Sequence, residues 1–271
     1  MTFPSGQLVD DASVPPASAG FFYDRALAKW IFALRDQVSP DGREYAYADG
    51  DPLSGAQVPG KLHVVDVATG TDRVIYNSPV VPSVVQFTAN GIYFTHNFGE
   101  GEEDGLWSIP PQGGQPRLVS STIWEPRVAN GAAWGLAFNA ADPHPAPGGI
   151  THPYNTILRF DLNTGTSVVW WYQPGNDMRL LDGDYSGNRF VYTFREDVDA
   201  SQVDWMLDAQ GTAHRIGSAN LDYLAAVDTN GVWFDDGRLP NLWLFTNGLL
   251  ERIADFNVTA MKIAGGCIPD A

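Results

Sequence analysis

Ser39-Pro40-Asp41-Gly42 runs directly into Arg43-Glu44-Tyr45-Ala46-Tyr47-Ala48. After a connection of uneven composition come Leu62-His63-Val64-Val65-Asp66-Val67-Ala68-Thr69-Gly70 and then Val74-Ile75-Tyr76. Within this stretch an Asp-Gly pair, which accepts positive φ cheaply, precedes a strand. A second strand with alternating apolar side chains then enters another glycine turn before a third strand. The order is strand A, tight turn, strand B, variable connection, strand C, tight turn, strand D. Working outward, the first turn recurs as Thr88-Ala89-Asn90-Gly91, Val128-Ala129-Asn130-Gly131, Tyr185-Ser186-Gly187-Asn188 and Asp228-Thr229-Asn230-Gly231. Glycines 42, 91, 131, 187 and 231 are 49, 40, 56 and 44 residues apart. A period of roughly 40–50 residues is that of a four-stranded propeller blade.

The second turn recurs too. Ile157-Leu158-Arg159-Phe160-Asp161 enters Asn163-Thr164-Gly165, and looser copies are Leu106-Trp107-Ser108-Ile109, Trp205-Met206-Leu207-Asp208 and Leu242-Trp243-Leu244-Phe245. Five units are visible, over about 35–79, 80–122, 123–175, 176–220 and 221–257. A sixth is assembled from both ends, 258–271 joined with 7–34: Val258 to Ala264 as the innermost strand, Gln7-Leu8-Val9 as a second, and Phe21 to Asp24 with Trp30 to Leu34 as the outer pair. Such a seam between the termini closes the ring and removes exposed sheet edges. The expectation is one all-β domain over 1–271, a six-bladed β-propeller, with 1–20 as an extended leader or strand.

The Ser39-Pro40-Asp41-Gly42 turn with its following strand, and Val65-Asp66-Val67-Ala68-Thr69-Gly70, resemble the repeat of TolB-like, WD40-like six-bladed β-propellers. The resemblance implies the fold and leaves activity open, because propellers host many unrelated functions.

The 271 residues carry 16 Lys+Arg against 32 Asp+Glu, a net charge of −16. That surface repels phosphate backbones and anionic lipid, which argues against nucleic acid as a partner. No apolar run approaches the roughly 20 residues of a membrane span, so direct membrane insertion is not expected. A lone cysteine, Cys267, allows no internal disulfide. Residues 1–20 have neither the basic nor the apolar region of a signal peptide. An extracytoplasmic compartment is expected only if a signal was removed upstream.

Strand direction alternates, so the A–B and C–D turns share one face while the B–C and D–A connections share the other. The former are short. The B–C connections are long and unequal, about 49–60, 97–105, 139–154, 196–202 and 235–240. Long loops on a rigid scaffold are where binding usually resides. Acidic groups gather there: Glu100, Glu102, Glu103 and Asp104; Glu196, Asp197 and Asp199; Asp235 and Asp236. They suit a cationic protein or peptide partner, or calcium through several oxygens; a solvated acidic surface is the plain alternative. Asp182 to Gly187 imitates the start of a calcium loop, but its twelfth position is Thr193, and a hairpin is expected. His96, His144 and His152 fall on the same side as metal candidates without paired spacing. The channel mouth, lined by the first residues of the A strands, supplies a ligand candidate: Arg35, Asp36, Trp124, Glu125, Arg127, Asp177, Arg179, Asp222 and Tyr223. The same mixed charges could pair among themselves and plug the ring. The familiar nucleophile, zinc-protease, phosphate-loop and dinucleotide signatures are absent. The expectation is therefore a non-catalytic binding or scaffold propeller without a predicted cofactor; the alternative is a metal-assisted hydrolase or lyase at the channel mouth.

Overall fold

The computed structural model describes residues 2–3, 22–24, 28–49, 58–96, 105–139, 141, 154–184, 186–194, 202–219, 221–228, 230–236, 241–255 and 268–269. Its described elements are strands, apart from a 3-10 turn at Arg35–Gln37. Two compact units divide the chain. One comprises Ser13–Gly135 and Phe160–Ser167; the other comprises Met1–Ala12, Leu136–Arg159 and Val168–Ala271.

The chain begins in β1 (Thr2–Phe3), which pairs in parallel with the last strand, β23 (Ile268–Pro269). In the first unit β2 (Phe22–Asp24) pairs antiparallel with β3 (Lys29–Ile31). A three-stranded antiparallel sheet follows: β4 (Glu44–Asp49), β5 (Gly60–Asp66) and β6 (Asp72–Ser78). Next comes a four-stranded meander of β7 (Pro82–Thr88), β8 (Gly91–His96), β9 (Leu106–Ile109) and β10 (Arg117–Ser120). The strands β11 (Trp124–Ala129), β12 (Ala132–Ala137), β13 (Thr156–Asp161) and β14 (Ser167–Tyr172) form a sheet in that order, and the division between units runs through it. The second unit holds two further antiparallel meanders. One is β15 (Asp177–Gly183), β16 (Arg189–Phe194), β17 (Val203–Leu207) and β18 (Ala213–Gly217); the other is β19 (Leu221–Asp228), β20 (Gly231–Asp236), β21 (Asn241–Thr246) and β22 (Leu249–Asp255).

The turn chemistry explains these hairpins. Asn130 (φ 47°) with Gly131 (φ 75°), and Asn247 (φ 52°) with Gly248 (φ 80°), place both central residues in the left-handed region that matches strand twist. In the C–D turns the repeated aspartate is a cap. Asp66 Oδ1 accepts the Thr69 N–H at 2.7 Å, Asp161 those of Asn163 and Thr164 at 2.9 Å, and Asp208 those of Gln210 at 3.0 Å and Thr212 at 2.8 Å. Asp184, in the calcium-like stretch, likewise accepts the N–H groups of Ser186 and Asn188 at 2.9 Å and serves as a turn cap.

Alternation sends one face of each strand inward. Ala46, Leu62, Val64 and Ile75 pack with Phe87, Ile92, Phe94 and Ile109 into a core between neighbouring sheets of the first unit. Leu181, Phe190, Leu221, Val232, Phe234 and Phe245 do the same in the second. β8 is buried at all six positions, so both of its faces are covered.

One expected strand is absent. Arg35 and Asp36 were expected to open an A strand; they lie in the 3-10 turn, and Val38 joins Tyr45 of the first sheet by an isolated bridge. The N–H of Gln37 bonds back to Leu34 O, and the Gln37 side chain accepts the Leu34 N–H, so local bonds replace a ladder. The expected seam strands Val258–Ala264 and Gln7–Val9 lie outside the described residues, as does Cys267.

Candidate functional site

Of the residues expected at the channel mouth, Arg35, Asp36, Trp124, Glu125 and Arg127 belong to the first unit, and Asp177, Arg179, Asp222 and Tyr223 to the second. Trp124 to Arg127 do open a strand, and Glu125 (φ 45°) takes a left-handed conformation uncommon for a non-glycine residue. Arg127 donates to Pro126 O at 3.2 Å. Asp222 and Tyr223 lie in β19, with side chains outside the described part.

Asp177 and Arg179 are brought together. Alternation along β15 puts them on one face. Asp177 Oδ1 accepts the N–H groups of Tyr154 and Met178, both at 2.9 Å, and stands 3.7 Å from Arg179 Nη1. The Arg179 guanidinium lies 5.8 Å from the Tyr154 ring centre and 5.6 Å from that of Phe194. This group sits where β15 starts and β16 ends, the end of its sheet that carries the long connection. Asp236, at the corresponding end of β20, accepts from Asn241 Nδ2 at 3.2 Å and stands in register with Leu221; Asp235 is in register with Tyr223.

His96 is buried in an aromatic setting, with Trp107 at 5.2 Å, Phe94 at 5.4 Å and Tyr76 at 6.2 Å between ring centres. His144, His152, Glu100, Glu102, Glu103 and Asp104 lie outside the described residues, as do Glu196, Asp197 and Asp199. Among the described residues no group of three or more His, Cys, Asp or Glu side chains is placed to hold a metal ion.

Two constellations escape the reading of the sequence. The first is Asp204, fully buried, whose Oδ1 accepts Gln202 Nε2 at 2.9 Å and whose Oδ2 accepts the Ala219 N–H at 2.6 Å. Gln202 also donates to Leu221 O at 2.7 Å. Burial pushes the Asp204 carboxyl above its ordinary range, and the charge of Asp236 adds to the shift.

The second lies on the face of β4-β5-β6 opposite Leu62 and Val64. His63 lies in β5. Its Nδ1 is 2.9 Å from Asp72 Oδ1, its Nε2 is 3.4 Å from Asp49 Oδ2, and its ring stacks on Tyr47 at 4.6 Å and 21°. Tyr47 Oη donates to Asp72 Oδ2 at 2.7 Å. Partial burial and the neighbouring Asp72 push the Tyr47 phenol up to about 12, so it remains a donor. Burial works to raise Asp72, but the hydrogen bonds from Tyr47 and His63 outweigh it and hold the carboxyl below its ordinary value. A register shift between Leu62 and His63 aims the ring; shifts at Asp204/Trp205 and Leu242/Trp243 stand at the matching point of two other C strands. His63 thus occupies a position that other units fill with Trp205 and Trp243. That mismatch against the repeat was the available sequence signal.

Among solved structures, the chain is similar to a prolyl endopeptidase at 12% identity, over 83% of this chain and 35% of that one, with a TM-score of 0.59. An oligogalacturonate lyase from Vibrio parahaemolyticus aligns at 13% identity over 73% and 61%, with a TM-score of 0.52; it is a β-propeller protein. The fold is a β-propeller. TolB from Acinetobacter baumannii itself aligns at 14% identity over 80% and 54%, with a TM-score of 0.48. The chain spans 61% of the length of that lyase, and at these identities the likeness is one of fold. No family model matches the sequence, and no curated protein does.

Proposed function

We propose that this propeller is a non-catalytic binding or scaffold module whose protein or peptide partner docks on the strand ends that carry the long connections. One observation carries the reading: a contrast between the two ends of the sheets. At the tight-turn ends, Asp41, Asp66, Asp161, Asp184, Asp208 and Asp228 each accept a backbone N–H of their own turn. At the other ends stand the Asp177–Arg179 group with its two aromatic rings, Asp235 and Asp236, and connections longer than folding requires. A cationic segment with apolar side chains complements that combination.

The test is capture of partners by the full chain, by Glu102→Lys/Glu103→Lys/Asp104→Lys, and by Thr164→Lys at a tight turn. Loss with the triple variant and retention with Thr164→Lys supports the reading; the reverse pattern refutes it. A second reading, a metal-assisted hydrolase or lyase, draws on the oligogalacturonate lyase that shares the fold. It calls for turnover of oligogalacturonate that depends on added divalent cation, and for its loss in Arg179→Ala.

A further inference from the structure

We infer that the Asn247-Gly248 turn is a site of spontaneous covalent modification, where Asn247 cyclises to a succinimide and reopens as isoaspartate or aspartate. It does so ahead of every other Asn-Gly pair of the chain. The inference is independent of the function proposed above. The chemistry is intramolecular. The Gly248 backbone nitrogen attacks Cγ of Asn247; the N–Cγ bond forms, the nitrogen gives up its proton, and the Cγ–Nδ2 bond breaks with Nδ2 leaving as ammonia. Water then adds to one of the two ring carbonyls and reopens the ring, leaving a carboxylate in place of the amide. A glycine in the second position leaves the attacking nitrogen unhindered. Four pairs qualify by sequence: Asn90-Gly91, Asn130-Gly131, Asn230-Gly231 and Asn247-Gly248. Attack also requires the peptide between the two residues to rotate out of its turn, and the fold decides which pair is free to rotate.

Three pairs are held. Asn90 donates its N–H to Thr88 Oγ1 at 3.1 Å, that hydroxyl donates to Gly91 O at 3.0 Å, and Gly91 is buried against Ile109. Asp228 accepts the N–H of Asn230 at 2.8 Å and that of Gly231, the attacking nitrogen itself, at 3.3 Å. Asn130 and Gly131 share the turn geometry of Asn247 and Gly248, with φ of 47° and 75° against 52° and 80°. Gly131 O, however, accepts the Leu162 N–H at 3.0 Å, which ties that turn to the neighbouring hairpin. The strands these three turns enter, β8, β12 and β20, are paired on both sides. Asn247 and Gly248 are exposed, and beyond its chain neighbours no described residue lies within 4 Å of a Cβ built on Gly248. Their turn enters β22, the last strand of its sheet, and Leu249 beside it is 62% exposed. Opening this hairpin end breaks fewer bonds than opening the other three. The isoaspartate product carries an extra methylene in its main chain, which offsets Thr246 from its cross-strand partner Leu249.

The experiment is incubation of the full-length chain in mildly alkaline buffer at body temperature, once folded and once in concentrated urea. Peptide mapping with fragmentation that separates isoaspartate from aspartate follows; the four pairs fall in different tryptic peptides. In the folded chain Asn247 converts at least about fivefold faster than Asn90, Asn130 or Asn230, and in urea the four rates fall within about threefold of one another. Isoaspartate is among the products at Asn247. A folded-chain rate at Asn247 no higher than at any one of the other pairs overturns the inference. So does an undiminished lead for Asn247 in urea, which would assign the order to neighbouring side chains and not to the fold. Aspartate as the sole product also overturns it, since water would then be attacking the amide directly.

Discussion

At the residue scale, Asp204 shows how a polar group is kept in an apolar sheet. Its two oxygens receive Gln202 Nε2 and the Ala219 N–H, so the carboxylate ties β17 to the segment entering β19. Asp204→Ala removes the acceptor of the Ala219 N–H and of one of the two Gln202 Nε2 bonds, both partly buried, and is expected to cost about 2 kcal/mol in urea unfolding. A change below about 0.5 kcal/mol would remove the network from the account. The raised carboxyl also sets a pH dependence. Its favourable contribution is complete below the unfolded-chain value of 3.8 and is lost as pH rises through the higher folded value. Relative to Asp204→Asn, the wild type should lose stability as pH climbs from about 4, then run parallel to it. An identical offset at every pH would contradict this. None of it was legible in the sequence: Val203-Asp204-Trp205 alternates like any strand, and only tertiary packing seals that aspartate.

Among the elements, the hairpin turns divide into two physical kinds. Gly248 has φ 80° with open space around its Cα. Gly231 has φ 146°, and a Cβ there would strike the Phe245 carbonyl of the next strand; Gly91 meets Ile109 O in the same way, at 3.0 Å. Gly248→Ala should therefore cost about 1 kcal/mol for the backbone conformation alone. Gly231→Ala should cost about 3 kcal/mol or more, since clash adds to conformation. Equal losses in thermal unfolding would show that the carbonyl moves aside. Both glycines sit in plain Asn-Gly pairs, so the turn was legible and the crowding was not.

For the whole molecule, a net charge of −16 opposes compaction. Raising sodium chloride from about 20 mM to about 500 mM should screen that repulsion and raise Tm by a few degrees at pH 7.5. A falling Tm would mean that exposed ion pairs such as Arg43–Asp41 outweigh it. The effect should be smaller in Glu102→Lys/Glu103→Lys/Asp104→Lys, which relieves the charge before salt is added.

What the residues settled unaided is the local rule: Asn-Gly, Asp-Gly and Asp-capped turns at a near-constant period can only join short antiparallel strands, and such meanders stack into a propeller. Those signals are local because φ preference and side-chain capping act within four or five residues. Arg35–Gln37 was misread because a 3-10 turn and a strand start share the same polar letters, and bonds to Leu34 decided between them. Tertiary structure alone placed Asp72 and Asp49 on opposite edges of His63, because cross-strand register and a bulge, not sequence distance, fix which side chains meet.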